Sequence, residues 1–135
     1  MTSTYAYTIL YVENVLKTIQ FYVNAFGFEK KLLTPEQDYG EIETGATTLA
    51  FADFRLAKSN LPDGFTSSKA SEKPLGFELA FTTPNVEQTM ETAIQNGAVL
   101  LAKPEKKPWG HVVGYVRDIY GFVIEICTPI ASHDS

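Results

Sequence analysis

Tyr7-Thr8-Ile9-Leu10-Tyr11-Val12 is an apolar stretch rich in aromatic and β-branched residues, a composition typical of a buried β-strand. A stretch of the same character, Phe77-Glu78-Leu79-Ala80-Phe81-Thr82, returns 70 residues later. At this offset Gly40 falls on Gly110. The two halves share a pattern more than identical residues, and that pattern indicates an internal duplication.

An amphipathic helix is predicted directly after each of these strands. Asn14 and Asn85 stand at N-cap positions, where the side chain accepts hydrogen bonds from free backbone N–H groups of the first turn. Apolar residues recur at helical spacing after both caps, and Gly27 and Gly97 suit the left-handed position just past a helix end. Three more strands are predicted after each helix: 28–33, 40–43 and 47–52 in the first half, and 99–102, 111–117 and 122–127 in the second.

Each half therefore predicts a β-α-β-β-β module, and the whole chain predicts an α+β domain of two tandem modules. We place module one at about residues 5–54, module two at about 76–129 and a tail at 130–135. The connection at about 55–75 is polar and rich in turn-forming residues, so we expect a loop. A loop of this length is often functional.

Composition excludes several classes of function. The 135-residue chain has a net charge of −5 and lacks the basic surface of a nucleic-acid-binding protein. No apolar run approaches the ~20 residues of a membrane span, and the first residues lack the features of a signal peptide. The single cysteine, Cys127, excludes an internal disulfide. We expect a cytoplasmic protein without membrane or nucleic-acid partners.

Six short motifs extend the pattern: Leu10–Asn14, Ile19–Tyr22 and Phe26–Phe28 in the first half, and Lys107–His111, Tyr115–Asp118 and Gly121–Ile126 in the second. Together they resemble the vicinal oxygen chelate superfamily, which includes glyoxalase I, extradiol dioxygenases and bleomycin-resistance proteins. The resemblance implies that the sheets of the two modules curl around a cavity. It also implies a cavity that is often completed by a homodimer.

The resemblance allows the metal site of that superfamily to be tested position by position. Metal-dependent members place one ligand on the first and one on the last strand of each module. These positions are Tyr7, Ala50, Phe77 and Glu125 in this chain. Only Glu125 can bind a metal, whereas catalytic sites take three or more protein ligands. We therefore predict no metal cofactor; a divalent metal in a rearranged site is the alternative.

Glu125 and His111 are the candidate catalytic residues. Strand alternation places His111 and Tyr115 on one face, and if that face is interior, His111 could approach Glu125 as an acid–base pair. The simpler interpretation puts His111 at a pocket rim or a strand edge. Glu125 either bonds a tyrosine hydroxyl, such as that of Tyr7 or Tyr11, or anchors an amine or hydroxyl of a ligand.

Two other reactive side chains are expected to take no part in binding or catalysis. His133 lies in the tail. Cys127 shares a strand face with Glu125 by the two-residue period, and a buried free cysteine usually packs as a small apolar side chain.

An aromatic cavity is the predicted ligand site, because small-molecule pockets are mostly apolar and aromatic. Tyr7 and Tyr11 share one face of the first strand. Phe77 and Phe81 are expected on the matching face of its counterpart. For any one of these residues, packing into a core is the simpler interpretation. The candidate ligand-binding residues are Tyr7, Tyr11, Phe51, Phe77, Phe81, Trp109 and Tyr115.

Three functions are compatible with these observations. The preferred one is metal-free binding of a small organic molecule, as in bleomycin-resistance proteins, and the acidic surface would attract a cationic ligand. The alternative is a lyase or isomerase of the glyoxalase I kind, in which Glu125 works with His111 or a tyrosine as acid and base. The third is a structural or regulatory dimer whose cavity is filled by its own side chains.

Overall fold

Each half of the chain builds one four-stranded sheet with a helix across it. The computed structural model describes residues 1–129 and divides the chain into a unit from Met1 to Ser67 and a unit that begins at Ser68. The tail at 130–135, including His133, lies outside the described residues.

The first unit contains six elements: β1 (Tyr7–Val12), α1 (Val15–Phe26), β2 (Glu29–Leu33), β3 (Tyr39–Glu43), β4 (Thr48–Asp53) and α2 (Phe54–Asn60). The strand order is β1-β4-β3-β2, with β1 parallel to β4 and the other pairs antiparallel. The side chain of Asn14 accepts a hydrogen bond from the backbone N–H of Lys17, and Gly27 ends α1 with a φ of 76°. Both predicted ends of this helix are confirmed.

The second unit repeats this arrangement with β5 (Glu78–Thr82), α3 (Val86–Gln95), β6 (Val99–Lys106), β7 (Val112–Arg117) and β8 (Val123–Cys127). Its strand order, β5-β8-β7-β6, matches that of the first sheet. The predicted cap at Asn85 is confirmed, because its side chain accepts from the backbone N–H of Gln88 at 3.1 Å. The α+β fold of two tandem β-α-β-β-β modules is therefore confirmed.

The first strand and the helix N-cap of the two units match at an offset of 71 residues, not 70. β1 begins at Tyr7 and β5 at Glu78, and the N-caps Asn14 and Asn85 have the same separation. Phe77 precedes β5. Since side chains of a strand alternate between its faces, a slip of one residue exchanges the face of every residue in β5.

The connection between the modules begins with a short helix, which corrects the predicted loop at its first residues, whereas residues 61–75 contain no helix or strand, as predicted. Asp53 caps α2 directly after β4, so a short helix opens this segment. Further along, the ring of Phe65 packs against those of Tyr11 and Phe54. A helix of only seven residues offers too little periodicity to be recognised in a polar segment.

The rest of the connection is held by Arg117, which is only 9% exposed. Its guanidinium group donates to the carbonyl oxygens of Lys69 and Glu72 at 3.0 and 2.7 Å, and its Nε donates to that of Gly121 at 2.8 Å. Backbone carbonyls thus satisfy a buried cation, which would otherwise carry a large desolvation cost.

A glycine in the third strand of each sheet lets the helix approach closely. A Cβ at Gly40 would lie 2.6 Å from Cδ1 of Ile19, and one at Gly114 would lie 2.4 Å from Sδ of Met90. The counterpart of Gly40 is therefore Gly114, and the sequence alignment with Gly110 is wrong. The helix and sheet of each unit meet at these glycines.

Replacing Gly40 by Ala should destabilise the protein by about 1–3 kcal/mol, because the added methyl group overpacks the contact with α1. The Cβ would also lie 3.2 Å from the backbone oxygen of Leu32. Urea unfolding measures the change. Gly76→Ala is the matched control: its Cβ would meet no atom within 4 Å, so we expect an effect within about 0.5 kcal/mol. Equal effects of the two substitutions would contradict the proposed contact.

Candidate functional site

One face of each sheet carries the helix, and we call the opposite face the open face. In the first unit Phe51 lies on the helix side, fully buried, with its ring stacked on that of Tyr22 in α1. In the second unit Ile126 pairs with Gly114, beneath Met90 of α3, and is also fully buried. Residues at alternate positions of the same strands lie on the open faces.

Glu78, Tyr115 and Glu125 lie together on the open face of the second sheet, and we call them the carboxylate–tyrosine cluster. The register sets Glu125 between Tyr115 on β7 and Ala80 on β5. The hydroxyl of Tyr115 donates a hydrogen bond to Oε1 of Glu125 at 2.9 Å. Glu78 shares this face because it lies two residues before Ala80.

The charges of the cluster act on one another. Desolvation, and after it the negative charge of Glu125, raises the pKa of Glu78. The hydrogen bond to Glu125, and after it desolvation, raises the pKa of Tyr115 to about 12. Tyr115 therefore keeps its proton at neutral pH. The cluster presents two carboxylates and one phenol that donates a hydrogen bond.

Cys127 borders the cluster on the same strand and is 5% exposed. Its Sγ donates to the carbonyl oxygen of Phe81 at 3.6 Å. Burial, and after it the hydrogen bond to Glu125, raises the pKa of the Cys127 thiol to about 11. Because the thiolate is the nucleophilic form, this environment favours packing over a nucleophilic role.

His111 is not brought to Glu125, which corrects the proposed acid–base pair. Tyr115 is the residue opposite Glu125. His111 lies four residues before Tyr115, a displacement along the strand of ~13 Å at the usual rise per residue. Nε2 of His111 is buried and has no hydrogen-bond partner among residues 1–129. A tyrosine hydroxyl does bond Glu125, but it belongs to Tyr115 and not to Tyr7 or Tyr11, the two tyrosines named for this role from the sequence.

Three of the aromatic residues proposed as ligand contacts do not lie on an open face. Phe51 is core, as described above. Phe81 pairs with Ile126 on the helix side, so the prediction that it matches the face of Tyr11 is wrong. Phe77 precedes β5 and packs its ring edge-on against Phe122. The one-residue slip explains the last two errors, because Glu78 occupies the position that had been assigned to Phe77.

The remaining aromatic candidates have different surroundings. Tyr7 lies on the open face of the first sheet and is 41% exposed. Tyr11 lies on the same face with its ring against Phe65 at 4.8 Å between centroids. Trp109 lies in the turn between β6 and β7 and is 70% exposed.

Sequence reasoning missed a second polar group on the open face of the first sheet. The hydroxyl of Tyr39 donates to Glu41 at 2.6 Å, and burial together with this hydrogen bond raises the pKa of Tyr39. Lys31 lies 3.8 Å from both Glu41 and Glu43 and donates to Thr48. The alternation of Tyr39, Glu41 and Glu43 was a signal for this group. In this group Lys31 lies between the two acids, Glu41 and Glu43. By contrast, neither Glu78 nor Glu125 of the carboxylate–tyrosine cluster takes part in an ion pair among residues 1–129.

The fold and this site define a protein with two tandem β-α-β-β-β modules and an open sheet face in each. The chain belongs to the Glyoxalase/Bleomycin resistance protein/Dioxygenase superfamily, whose family model matches residues 4–126. No curated protein matches the sequence at a significant level. Within residues 1–129, no helix is both long and apolar enough to cross a membrane.

Solved structures show the same fold at low sequence identity. A glyoxalase-related enzyme from Fulvimarina pelagi is similar with a TM-score of 0.79 and 21% identity, over 97% of this chain and 94% of that one. A glyoxalase/bleomycin resistance protein/dioxygenase family enzyme from Burkholderia phytofirmans PsJN gives 0.73 and 19%, over 93% and 98%. TioX from Micromonospora sp. ML1 gives 0.70 and 17%, over 95% and 100%. At these identities the likeness concerns the fold.

The corrected offset changes the test of the superfamily's metal positions. They now fall on Tyr7, Ala50, Glu78 and Glu125, and Ala50 pairs with Ile9 as Glu125 pairs with Ala80. Of these four residues only Glu78 and Glu125 carry carboxylates, and two carboxylates fall short of the three ligands that catalytic metal sites use. No group of three or more His, Cys, Asp or Glu suited to a metal occurs within the described part of the chain. The side chains at these four positions therefore do not fit the metal that metal-dependent members of the superfamily bind.

Replacing Glu125 by Gln should lower the pKa of both Glu78 and Tyr115. The substitution removes a neighbouring negative charge, and both acids then ionise more readily. Carbon NMR of the Glu78 carboxyl and of the Tyr115 ring Cζ measures the two titrations. Glu43→Gln, on the other sheet, should leave both pKa values unchanged. A pKa of Glu78 that rises or stays constant in the Glu125 variant would contradict the coupling.

Proposed function

We propose that this protein binds a small organic molecule, without a metal, on the open face of the second sheet. The observation that carries the proposal is the carboxylate–tyrosine cluster: two acids share one sheet face, and neither is paired with a cation among residues 1–129. Neighbouring like charges repel one another, so a cationic ligand would relieve the repulsion between Glu78 and Glu125.

The chemistry of the cluster favours a ligand that donates hydrogen bonds. Carboxylates form their strongest hydrogen bonds with ammonium or guanidinium groups. Ala80 and the ring of Tyr115 supply apolar surface beside the acids, as small-molecule sites usually do. We therefore propose an amine with an apolar body as the ligand class. Tyr7 and Tyr11 stay predicted contacts, and a cytoplasmic location and a homodimer stay predictions.

An enzymatic function of the glyoxalase I kind is the second candidate, and the hydrogen bond between Tyr115 and Glu125 supports it. Glu125 would act as base and Tyr115 as acid. Acid–base catalysis works best when the pKa of the catalytic group lies near the working pH. The pKa of Tyr115, raised to about 12, is far from neutrality and favours binding over catalysis.

Thermal-shift measurements test the binding proposal with matched compounds that share one skeleton: phenethylamine, phenethyl alcohol and hydrocinnamate. The amine should raise the melting temperature most; an amine at a hundred times its Kd adds about 2.7 kcal/mol of stability. Glu78→Gln combined with Glu125→Gln should abolish the preference for the amine. Glu36→Gln, an exposed acid outside both sheets, is the control.

Two outcomes would overturn this ligand class. Equal shifts with the amine and the alcohol would mean that the carboxylates do not recognise charge. If a broader panel of amines and common metabolites also gave no shift, a structural or regulatory dimer would become the better interpretation.

Metal analysis tests the metal-free part of the proposal. After incubation with nickel, zinc or iron and removal of free ions, we expect far less than one metal per chain, because the donor set is incomplete. Glu125→Gln should leave the residual metal content unchanged. A stoichiometric metal that a chelator removes, that is restored on addition, and that is lost in the Glu125 variant would contradict the proposal.

A further inference from the structure

Arg117 lies on the same open face as the acids of the carboxylate–tyrosine cluster. Strand alternation places it there, because it lies two residues beyond Tyr115 on β7. Its partner on β8 is Val123, so Glu125 is its diagonal neighbour in the sheet. Diagonal neighbours on adjacent strands lie ~7–8 Å apart, within reach of a long side chain. The register alone would therefore allow Arg117 to form an ion pair with Glu125.

The guanidinium group of Arg117 instead bonds to the connection between the modules. The carbonyl oxygens of Lys69, Ala70 and Glu72 accept hydrogen bonds from its terminal nitrogens at 3.0, 3.4 and 2.7 Å. We call residues 69–72 the strap. No ion pair among residues 1–129 includes Arg117. Backbone oxygens, and not carboxylates, therefore satisfy this cation.

The ionisation of Glu78 agrees with this arrangement. Desolvation, and after it the negative charge of Glu125, raises the pKa of Glu78. A guanidinium group paired with Glu125 would offset that charge and favour the ionised form of Glu78. The two acids therefore act on one another as unpaired neighbours while the strap holds Arg117.

We infer that the strap determines the preference of this open face for cations, because it holds Arg117 away from Glu125. A guanidinium group released from the strap would form charge-assisted hydrogen bonds with Glu125 and compete with a cationic ligand for the same oxygens. The strap is thus a specificity-determining element outside the carboxylate–tyrosine cluster. The inference rests on the proposed function, since it concerns the ligand of the same site.

Gly121→Ala tests the inference by releasing Arg117. A Cβ at Gly121 would lie 2.5 Å from Nη2 of Arg117 and 3.0 Å from the backbone N of Ala70, so the guanidinium group and the strap cannot both keep their places. The variant should bind phenethylamine about tenfold more weakly, because Arg117 then bonds to Glu125. Calorimetric titration measures the affinity.

Gly110→Ala is the matched control for backbone strain. The φ of Gly110 is 89°, close to the 90° of Gly121, but a Cβ at Gly110 would meet no atom within 4 Å. This variant should bind phenethylamine as the wild type does.

Adding Arg117→Gln to Gly121→Ala separates competition from damage to the site. Without the competing charge both acids are unpaired again, so the double variant should recover the wild-type affinity for phenethylamine. A strap with a purely structural role would not permit this rescue. Circular dichroism checks the fold of each variant. Ser68→Ala is a milder release, because it removes the hydrogen bond from Ser68 Oγ to the carbonyl oxygen of Tyr120 at 2.7 Å, and should weaken amine binding in the same direction.

Carbon NMR of the Glu78 carboxyl gives a readout that needs no ligand. Release of Arg117 should lower the pKa of Glu78, and the double variant should raise it again. A constant pKa of Glu78 after release, an unchanged amine affinity, or a double variant that does not recover would each overturn the inference. A wild type that does not bind the amine would overturn the proposed function, and the Glu78 titrations would then decide by themselves whether the strap holds Arg117 from Glu125.

Discussion

Close packing of one helix on one face of each sheet is the constraint on which this molecule depends. Gly40 and Gly114 permit it, because any side chain at either position would collide with Ile19 or Met90. The packing commits one face of each sheet to the core. It leaves the other face free to carry polar groups such as Glu125, which could not be buried beneath a helix without a partner.

Most of the architecture could be predicted because its signals are local. The caps at Asn14 and Asn85 and the stop at Gly27 depend on neighbouring backbone groups alone, and all three were found. The start of β5 was misplaced because Phe77 is a better strand residue than Glu78 by composition. Only the pairing with β8, more than 40 residues away, decides which residue faces the core.

The candidate site was predictable in part for the same reason. Glu125 was identified because a glutamate in an apolar strand needs an explanation, and Tyr115 was identified as an aromatic residue of the predicted cavity. Their hydrogen bond was not predicted: the proposed partners of Glu125 were His111 or a tyrosine such as Tyr7 or Tyr11. The register of β7 against β8, which sets Tyr115 opposite Glu125, depends on how tightly the turn between these strands closes. Because of the one-residue slip, Glu78 was not identified. The prediction therefore missed that two carboxylates share one face of the sheet.

The connection between the modules belongs in part to each of the two duplicated modules. Phe65 covers the ring of Tyr11, and the carbonyls of Lys69 and Glu72 surround the guanidinium of Arg117. Each half of the connection thus completes the module beside it. If the chain were severed, the natural point of division would lie between residues 67 and 68. A cut at residue 54 would instead expose the ring of Tyr11. A cut at residue 75 would separate the buried guanidinium of Arg117 from the carbonyls of Lys69 and Glu72.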